Sequence, residues 1–379
     1  MQQISLSRLV HDALLKIEQG KDMYSSTFVV VVAAAIFLLI VAILPITTEI
    51  TSEKYPAYGS NSNSSWNGST SNTTNNYTMN NNNIITTSLS AATADFNFAA
   101  VGDWGCTSNT NNTVNNIVDK NPELVLALGD YSYNITSDDC WFKIVKPIED
   151  KMKIEIGNHD HLGLGELYRY MNHFELTEQY YSFNYKNIHF LALSTETPFA
   201  VNSAQYNFVK NDLSKAASDP NIDWIIVYYH RQMYTIPSTH SAIALLRSTY
   251  HPLFEQYGVD LVLQGHNHNY QRTYPIIFNS SSPKHPIETS TNKTTYTDPD
   301  GGQIFVTLGT GGAKLYPFKD QKDGKKENNN YYYAKQYIGY GILNVDITNN
   351  GKTLTGKFYS NNNGTIIDQF TITKPSRTT

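Results

Sequence analysis

The sequence predicts an α/β fold of four layers, an α-β-β-α sandwich in which two sheets pack face to face with helices outside, preceded by an N-terminal transmembrane helix and a disordered stalk. Three observations carry that expectation. Through the middle of the 379 residues, short apolar runs alternate with helical patterns, as when strands are crossed by helices. Toward the C-terminus, stretches of alternating apolar and polar residues flank Asn-Gly pairs, the mark of antiparallel hairpins. Ahead of residue 95 the composition changes, first to an unbroken apolar run and then to a tract of Asn, Ser and Thr.

The strand candidates of the first half are Phe96–Val101, Leu124–Leu128, Ile154–Ile156, Ile188–Leu193, Trp224–Tyr229 and Leu261–Leu263. Helices are expected at Thr113–Lys120, Ser203–Ala217 and Ser241–Tyr257. The hairpin strands are Ile338–Ile347, Thr353–Tyr359 and Ile366–Thr373. Together they define one folded domain over residues 95–374.

The N-terminal third is of another kind. From Thr27 to Ile46 no side chain is ionisable, and at about 1.5 Å per residue the run matches the roughly 30 Å core of a bilayer. Arg8, Lys16 and Lys21 precede it and only Lys54 lies close on its other side. The positive-inside bias therefore keeps residues 1–26 in the cytoplasm and makes this a single-pass protein of the cell membrane with its folded domain outside. Residues 47–94 lack apolar periodicity and cannot offset the entropy of ordering, so they form the stalk. Sequons at Asn63, Asn67, Asn72, Asn76, Asn111, Asn134, Asn279, Asn292 and Asn363 fit a glycosylated outer surface. A net charge of −5 without a basic tract argues against nucleic acid as a partner. Oligomeric state is not encoded legibly.

The residues just past each strand are more informative than the strands themselves. Phe96–Val101 ends in Gly102-Asp103-Trp104-Gly105, Leu124–Leu128 in Gly129-Asp130-Tyr131-Ser132-Tyr133, and Ile154–Ile156 in Gly157-Asn158-His159-Asp160. Further on, Val227-Tyr228-Tyr229-His230 closes a strand and Leu261–Gln264 runs into Gly265-His266-Asn267-His268. Strand carboxyl ends of an open α/β sheet share one edge, so distant polar residues can converge there. The converging set is Asp103, Asp130, Tyr133, Asn158, His230, His266 and His268. Oxygen donors mixed with imidazole suit iron, manganese or zinc, and seven donors are enough for two ions, with neither cysteine required.

In this order the motifs Gly-Asp-x-Gly, Gly-Asp-x-x-Tyr, Gly-Asn-His-Asp, Val-x-x-His and Gly-His-x-His resemble the purple acid phosphatases, within the calcineurin-like metallophosphoesterases, over residues 95 to about 312. The resemblance implies the metallophosphoesterase form of the four-layer sandwich. It also implies that Asp103, Tyr133 and His268 hold Fe(III), that Asn158, His230 and His266 hold a divalent ion (Fe, Zn or Mn), and that Asp130 bridges the two. Tyr133 discriminates, because a phenol with a pKa near 10 is held as phenolate most naturally by a trivalent cation. The implied reaction is hydrolysis of phosphoric monoesters by a metal-bound hydroxide. The alternatives are a phosphodiesterase or nucleotide pyrophosphatase with the same metals, and a non-catalytic surface adhesion protein that keeps the fold.

Developing charge on the phosphoryl oxygens and the leaving group calls for donors that are not metal ligands. His159, beside Asn158, is one candidate; His240, ten positions after His230 as in plant-type members, is the other. His161, His173, His189, His251 and His285 receive ordinary structural roles, and Arg231 and Arg272 solvated ones. Tyr131, Tyr234 and Tyr270 are either pocket walls or packing. Cys106 and Cys140 come after the first two metal-binding strand ends, and an outside compartment permits a disulfide between them. The sequence departs from the family at Arg231-Gln232 and at Gln271, both expected to border the pocket, and it lacks the N-terminal β-domain of the plant enzymes.

Overall fold

The computed structural model describes residues 95–133, 138–161, 166–298, 301–319 and 331–375. The expected cytoplasmic segment 1–26, membrane span 27–46 and stalk 47–94 lie outside them. Among the described residues no helix is long and apolar enough to cross a membrane.

Along the chain the strands are β1 (Phe96–Val101), β2 (Leu124–Leu128), β3 (Met152–Glu155), β4 (Tyr181–Tyr185), β5 (Ile188–Ala192), β6 (Trp224–Tyr229), β7 (Leu261–Gln264) and β8 (Tyr270–Thr273). They continue as β9 (Ile276–Ile277), β10 (Ile287–Glu288), β11 (Thr295–Thr297), β12 (Ile304–Leu308), β13 (Tyr333–Tyr337), β14 (Gly341–Thr348), β15 (Thr353–Ser360) and β16 (Ile366–Thr373). The helices are α1 (Ser108–Lys120), α2 (Asp139–Val145), α3 (Glu166–His173), α4 (Ala204–Ser218) and α5 (Ala244–Gln256). One sheet has the order β11-β16-β15-β14-β1-β2-β3 and the other β13-β8-β12-β7-β6-β5-β4, with β9 and β10 forming a separate ribbon.

Burial explains the layers. Strand β2, Leu-Val-Leu-Ala-Leu, is covered on both faces, as parallel strands between helices and a second sheet must be. Phe98, Leu126, Phe190, Ile226, Leu263, Val345 and Phe358 fill the space between the sheets. Each contributes on the order of 1.5–3 kcal/mol by leaving water. On one outer face Val114, Ile117, Trp141 and Tyr170 from α1 to α3 pack on Val101, Val125 and Ile154; on the other Val209, Leu213, Leu246 and Phe254 from α4 and α5 pack on Leu191, Val227 and Val262. The expected four layers are all present.

The differences from expectation are local. Helix α1 begins five residues before Thr113, because the Thr107 side chain accepts from the backbone of Asn109 and Thr110 in a capping box, an end signal without apolar residues. Strand β3 starts at Met152 rather than Ile154, since parallel pairing with Val125 begins there. The strand expected at Ile338–Ile347 begins three residues later, as β14 at Gly341, which pairs with β1; an unexpected strand, β13, precedes it and pairs with β8 in the other sheet. Helices α2 and α3, of seven and eight residues, are too short to announce a period.

Parallel β1, β2 and β3 and parallel β5, β6, β7 and β12 bring their carboxyl ends to one rim. The sheets are stitched there: Gly102 N–H donates to Leu308 O at 2.9 Å, and the His230 ring bonds Leu128 O at 2.8 Å. Cys106 and Cys140 are joined in a disulfide, Cα to Cα 5.8 Å, tying the turn after β1 to α2. Closing a loop of 34 positions stabilises by roughly 4 kcal/mol on the chain-entropy account.

Candidate metal centre

Each rim residue leaves its strand through a sharp turn. Asp103, Asp130, Tyr133 and His266 have φ of 59°, 56°, 56° and 69°, the left-handed region that residues with a β-carbon avoid. The turns leave no room for larger residues at their glycines: a β-carbon on Gly157 would lie 2.3 Å from Asp130 Oδ1, and one on Gly309 2.8 Å from Asp103 Oδ2.

These turns gather the acid, phenol and imidazole groups into one buried cluster. The Tyr133 hydroxyl lies 2.9 Å from Asp103 Oδ1, 3.1 Å from Asp130 Oδ2 and 2.9 Å from His268 Nε2. His268 Nε2 is 3.2 Å from Asp103 Oδ1, and His230 Nε2 is 3.2 Å from Asp130 Oδ2. His266 turns its Nδ1 to His230 Nε2 at 3.1 Å. One atom each of Asp130, His230 and His266 falls within a 4.8 Å group. Asn158, at the end of β3, has its Oδ1 buried without a hydrogen-bond partner.

These features fit metal ions. A buried amide oxygen with no donor is costly unless a cation meets it. Backbone carbonyls orient two of the rings, Leu128 O at His230 Nδ1 and Lys314 O at His268 Nδ1, so each ring presents Nε2 to the cluster. Without a cation the charges are poorly balanced. Burial, then the Asp103 and Asp130 carboxylates, push the Tyr133 phenol well above its usual pKa. Burial and then the charge on His230 push His266 far down, while His230 itself, despite burial, is held up by Asp130. A cation would reverse the pressure on the phenol by replacing its proton.

Both expected non-ligand histidines border the cluster. The His159 ring lies 4.4 Å from the Tyr133 ring, and its backbone N–H donates to Asp130 Oδ1 at 2.8 Å. The His240 ring stacks on His266 at 4.0 Å, and burial followed by the charge on His268 lowers its pKa. The loop carrying it is held by Asn267, whose side chain accepts from His240 N–H and donates to His240 O.

Other expectations are corrected. Arg272 is not solvated: it is buried in a two-pronged contact with Asp368 at 2.6 and 3.0 Å, joining β8 to β16. Arg231 pairs with Glu196 at 2.7 Å. Gln232 and Gln271 are buried and do not border the pocket; Gln232 donates to His240 O and Ser241 O, and Gln271 accepts from Ile236 N–H, so both support the His240 loop. Tyr131, Tyr234 and Tyr270 are packing residues. His189 sits between Asn184 and Asp212, and His251 between Tyr234 and Gln303.

Three contributors escape sequence reasoning. Asp160 accepts from the backbone N–H groups of Asp130, Tyr131 and Gly157 at 2.7–2.8 Å and so fixes two of the turns; its place in Gly-Asn-His-Asp is the available signal. Tyr316 stacks on His268 at 3.9 Å, and Lys314 supplies the carbonyl behind that ring. Neither carries a local signal.

Residues 96–270 match the family model for calcineurin-like phosphoesterases. Purple acid phosphatase 15 of Arabidopsis thaliana is 27% identical over 230 residues, covering 50% of this chain and 43% of that protein. The phosphoenolpyruvate phosphatase of Allium cepa is 26% identical over 285 residues, 68% of this chain and 56% of that protein. The chain thus spans about half the length of these relatives. The structure of purple acid phosphatase PPD1 from yellow lupin seeds superposes with a TM-score of 0.65 at 21% identity, covering 75% of this chain and 55% of that one, a likeness of fold.

Proposed function

We propose that this chain, similar to the purple acid phosphatases and matching the calcineurin-like phosphoesterase model over residues 96–270, hydrolyses phosphoric monoesters at a two-metal centre outside the cytoplasm. The observation that supports the reading is the cluster itself: buried Asp103, Asp130, His230, His266 and His268 and half-buried Tyr133, each within hydrogen-bond reach of a neighbour, beside an unpartnered Asn158 Oδ1. In the proposed assignment Asp103, Tyr133 and His268 would hold Fe(III), Asn158, His230 and His266 would hold a divalent Fe, Zn or Mn ion, and Asp130 would serve both. Such a pair, when bound, supplies a Lewis acid for the phosphoryl oxygens and acidifies water.

The remaining work belongs to residues that do not coordinate. His159, against Tyr133, and His240, against His266, each offer a ring N–H at the border of the cluster. We assign them to the phosphoryl oxygens and the leaving oxygen, where a fixed donor is worth more in a partly dehydrated site than in water. Asn267, Gln232 and Gln271 position His240 through its loop. The placement outside the cytoplasm, behind a membrane anchor at 27–46, is supported by the Cys106–Cys140 disulfide and by exposed sequon residues Asn111, Asn292 and Asn363.

The test loads the purified protein with iron and zinc and compares phenyl phosphate with diphenyl phosphate from acidic to neutral pH. Turnover of the monoester, with visible absorption that Tyr133→Phe removes, is the expected result. Faster turnover of the diester would make this a phosphodiesterase, and full metal occupancy without turnover of either ester would end the enzymatic reading.

A further inference from the structure

Beyond the metal cluster, the other face of the His240 loop opens into a cleft of about 280 Å³. Its walls include His240, Ser241, Ala244, Arg247, Lys284 and Lys319, and among the described residues no carboxylate lines it. His240 is therefore a shared wall, stacked on His266 on one side and facing the cleft on the other.

Arg247 sets this cleft apart. Arg169, Arg231 and Arg272 are each paired with carboxylates. Arg247 is 4% exposed, yet among the described residues no carboxylate pairs with it. Its Nη1 donates to Met233 O at 2.7 Å, its Cζ lies 5.3 Å from the centroid of the Tyr234 ring, and its Nε is buried without a partner. A buried guanidinium without a counter-charge is costly, and an anion in the cleft would offset that cost. The N-terminus of α5 points the same way. Ile243 caps it without a side-chain hydrogen bond, and Ala244 of its first turn lines the cleft, so free backbone N–H groups and the positive end of the helix dipole add to the field. Lys284 and Lys319 bring two exposed ammonium groups to the mouth.

We propose that this cleft is an anion subsite for the leaving-group portion of the substrate, so that the preferred esters carry a second phosphate or carboxylate beyond the scissile phosphoryl group. The proposal rests on the phosphatase reading above. Recognition is by charge and by planar guanidinium geometry, which suits tetrahedral and carboxylate oxyanions alike.

The experiment measures, by calorimetry on the metal-loaded protein, the affinities of alkyl monophosphonates and of α,ω-alkane bisphosphonates with two to six methylenes. The ratio between matched pairs is the readout. At one or more spacer lengths the bisphosphonate should bind at least about tenfold tighter, one such step being about 1.4 kcal/mol. Lys284→Ala with Lys319→Ala should shrink that advantage several-fold, and Arg247→Met should remove it; because Arg247 is buried, the lysine pair keeps the test decisive if that variant fails to fold. Equal affinities at every spacer, or an advantage untouched by the lysine pair, overturns the subsite. A surviving advantage in a protein that does not hydrolyse phenyl phosphate supports the subsite and defeats only the catalytic reading. Inorganic phosphate that competes with the monophosphonates and the bisphosphonates equally, with no spacer optimum, would mean a product site rather than a leaving-group site, and would overturn the proposal.

Discussion

Left-handed backbone appears both at the hairpin tips and at the rim that carries the candidate metal centre, under opposite circumstances. Between β14 and β15 it falls on Asn349, Asn350 and Gly351 (φ 55°, 54° and 79°), and between β15 and β16 on Asn363 and Gly364 (φ 65° and 62°). These are the residue types that accept the conformation most readily. At the rim the same region of φ is occupied by Asp103, Asp130, Tyr133 and His266, at roughly 1–2 kcal/mol each. Their surroundings hold them there: Asp103 N–H bonds Gly129 O, Trp104 N–H bonds Asp130 O, and His266 N–H bonds Asp103 Oδ2. At the tips the side chain serves the backbone. At the rim the backbone is bent to serve the side chain, a distribution of strain associated with functional sites.

The sharpest way to test that contrast is to disturb a rim turn without touching a ligand. In Gly157→Ala the added methyl would meet Asp130 Oδ1 at 2.3 Å and Asp130 N at 2.5 Å, both rigid, so the Asp130 turn must shift. A displacement of about an ångström typically costs on the order of 10²-fold in rate. Phosphatase turnover should fall by about that factor, and metal analysis should show reduced occupancy. Asp160→Asn should come next. The amide keeps an oxygen but turns an NH₂ toward N–H donors of Asp130, Tyr131 and Gly157. Loss of an orienting group of this kind costs about 10–100-fold in metal affinity or activity. Metal titration followed by dialysis would read it; unchanged affinity would mean that the turns hold themselves.

His240→Ala tests whether a rim residue that is not strained still matters. If its ring donates to the leaving group, turnover should drop by about 10²-fold while metal content and absorption stay as in the parent protein. Undiminished turnover with full metal content would leave His240 as a stacking partner of His266 alone.

The same contrast explains how much can be read without a structure. The rim is legible because its turns demand glycine next to a polar residue, a pairing confined to a few adjacent positions, as in Gly129-Asp130 or Gly265-His266. The parallel strands behind it are legible because β2 and β6 are apolar throughout. The supports are not. Arg272 meets Asp368 across 96 positions, and Tyr316 reaches His268 from the loop after β12, so nothing in either neighbourhood marks the partner. Arg231 and Arg272 read as solvated for the same reason: a charged residue in a strand-like stretch looks exposed until its counter-ion is located. Helix α1 reads short because its first turn is Ser, Asn and Thr, which looks like loop unless Thr107 is recognised as a cap.

The smallest expected effect lies at the hairpin tips, and its smallness carries the contrast. Asn350 has φ 54° between two other left-handed residues, and Lys352 N–H closes the turn onto Asn349 O at 3.1 Å. In Asn350→Ala the residue loses the side chain that tolerates this region, at a cost of about 1 kcal/mol. For a domain of this size that corresponds to a fall in melting temperature of about 2–4 °C. Turnover at temperatures below the transition should not change. Asn350→Gly should recover most of the loss, because glycine adopts the conformation freely. The rim behaves differently under the same exchange. Asp130→Gly also relieves a left-handed residue, but it removes the carboxylate that meets His230 and Tyr133, so metal content and turnover should vanish whatever happens to the melting temperature. If thermal scans and metal analysis of these variants moved in parallel, with glycine restoring function at both places, the rim would be an ordinary turn and its strain would have no bearing on chemistry.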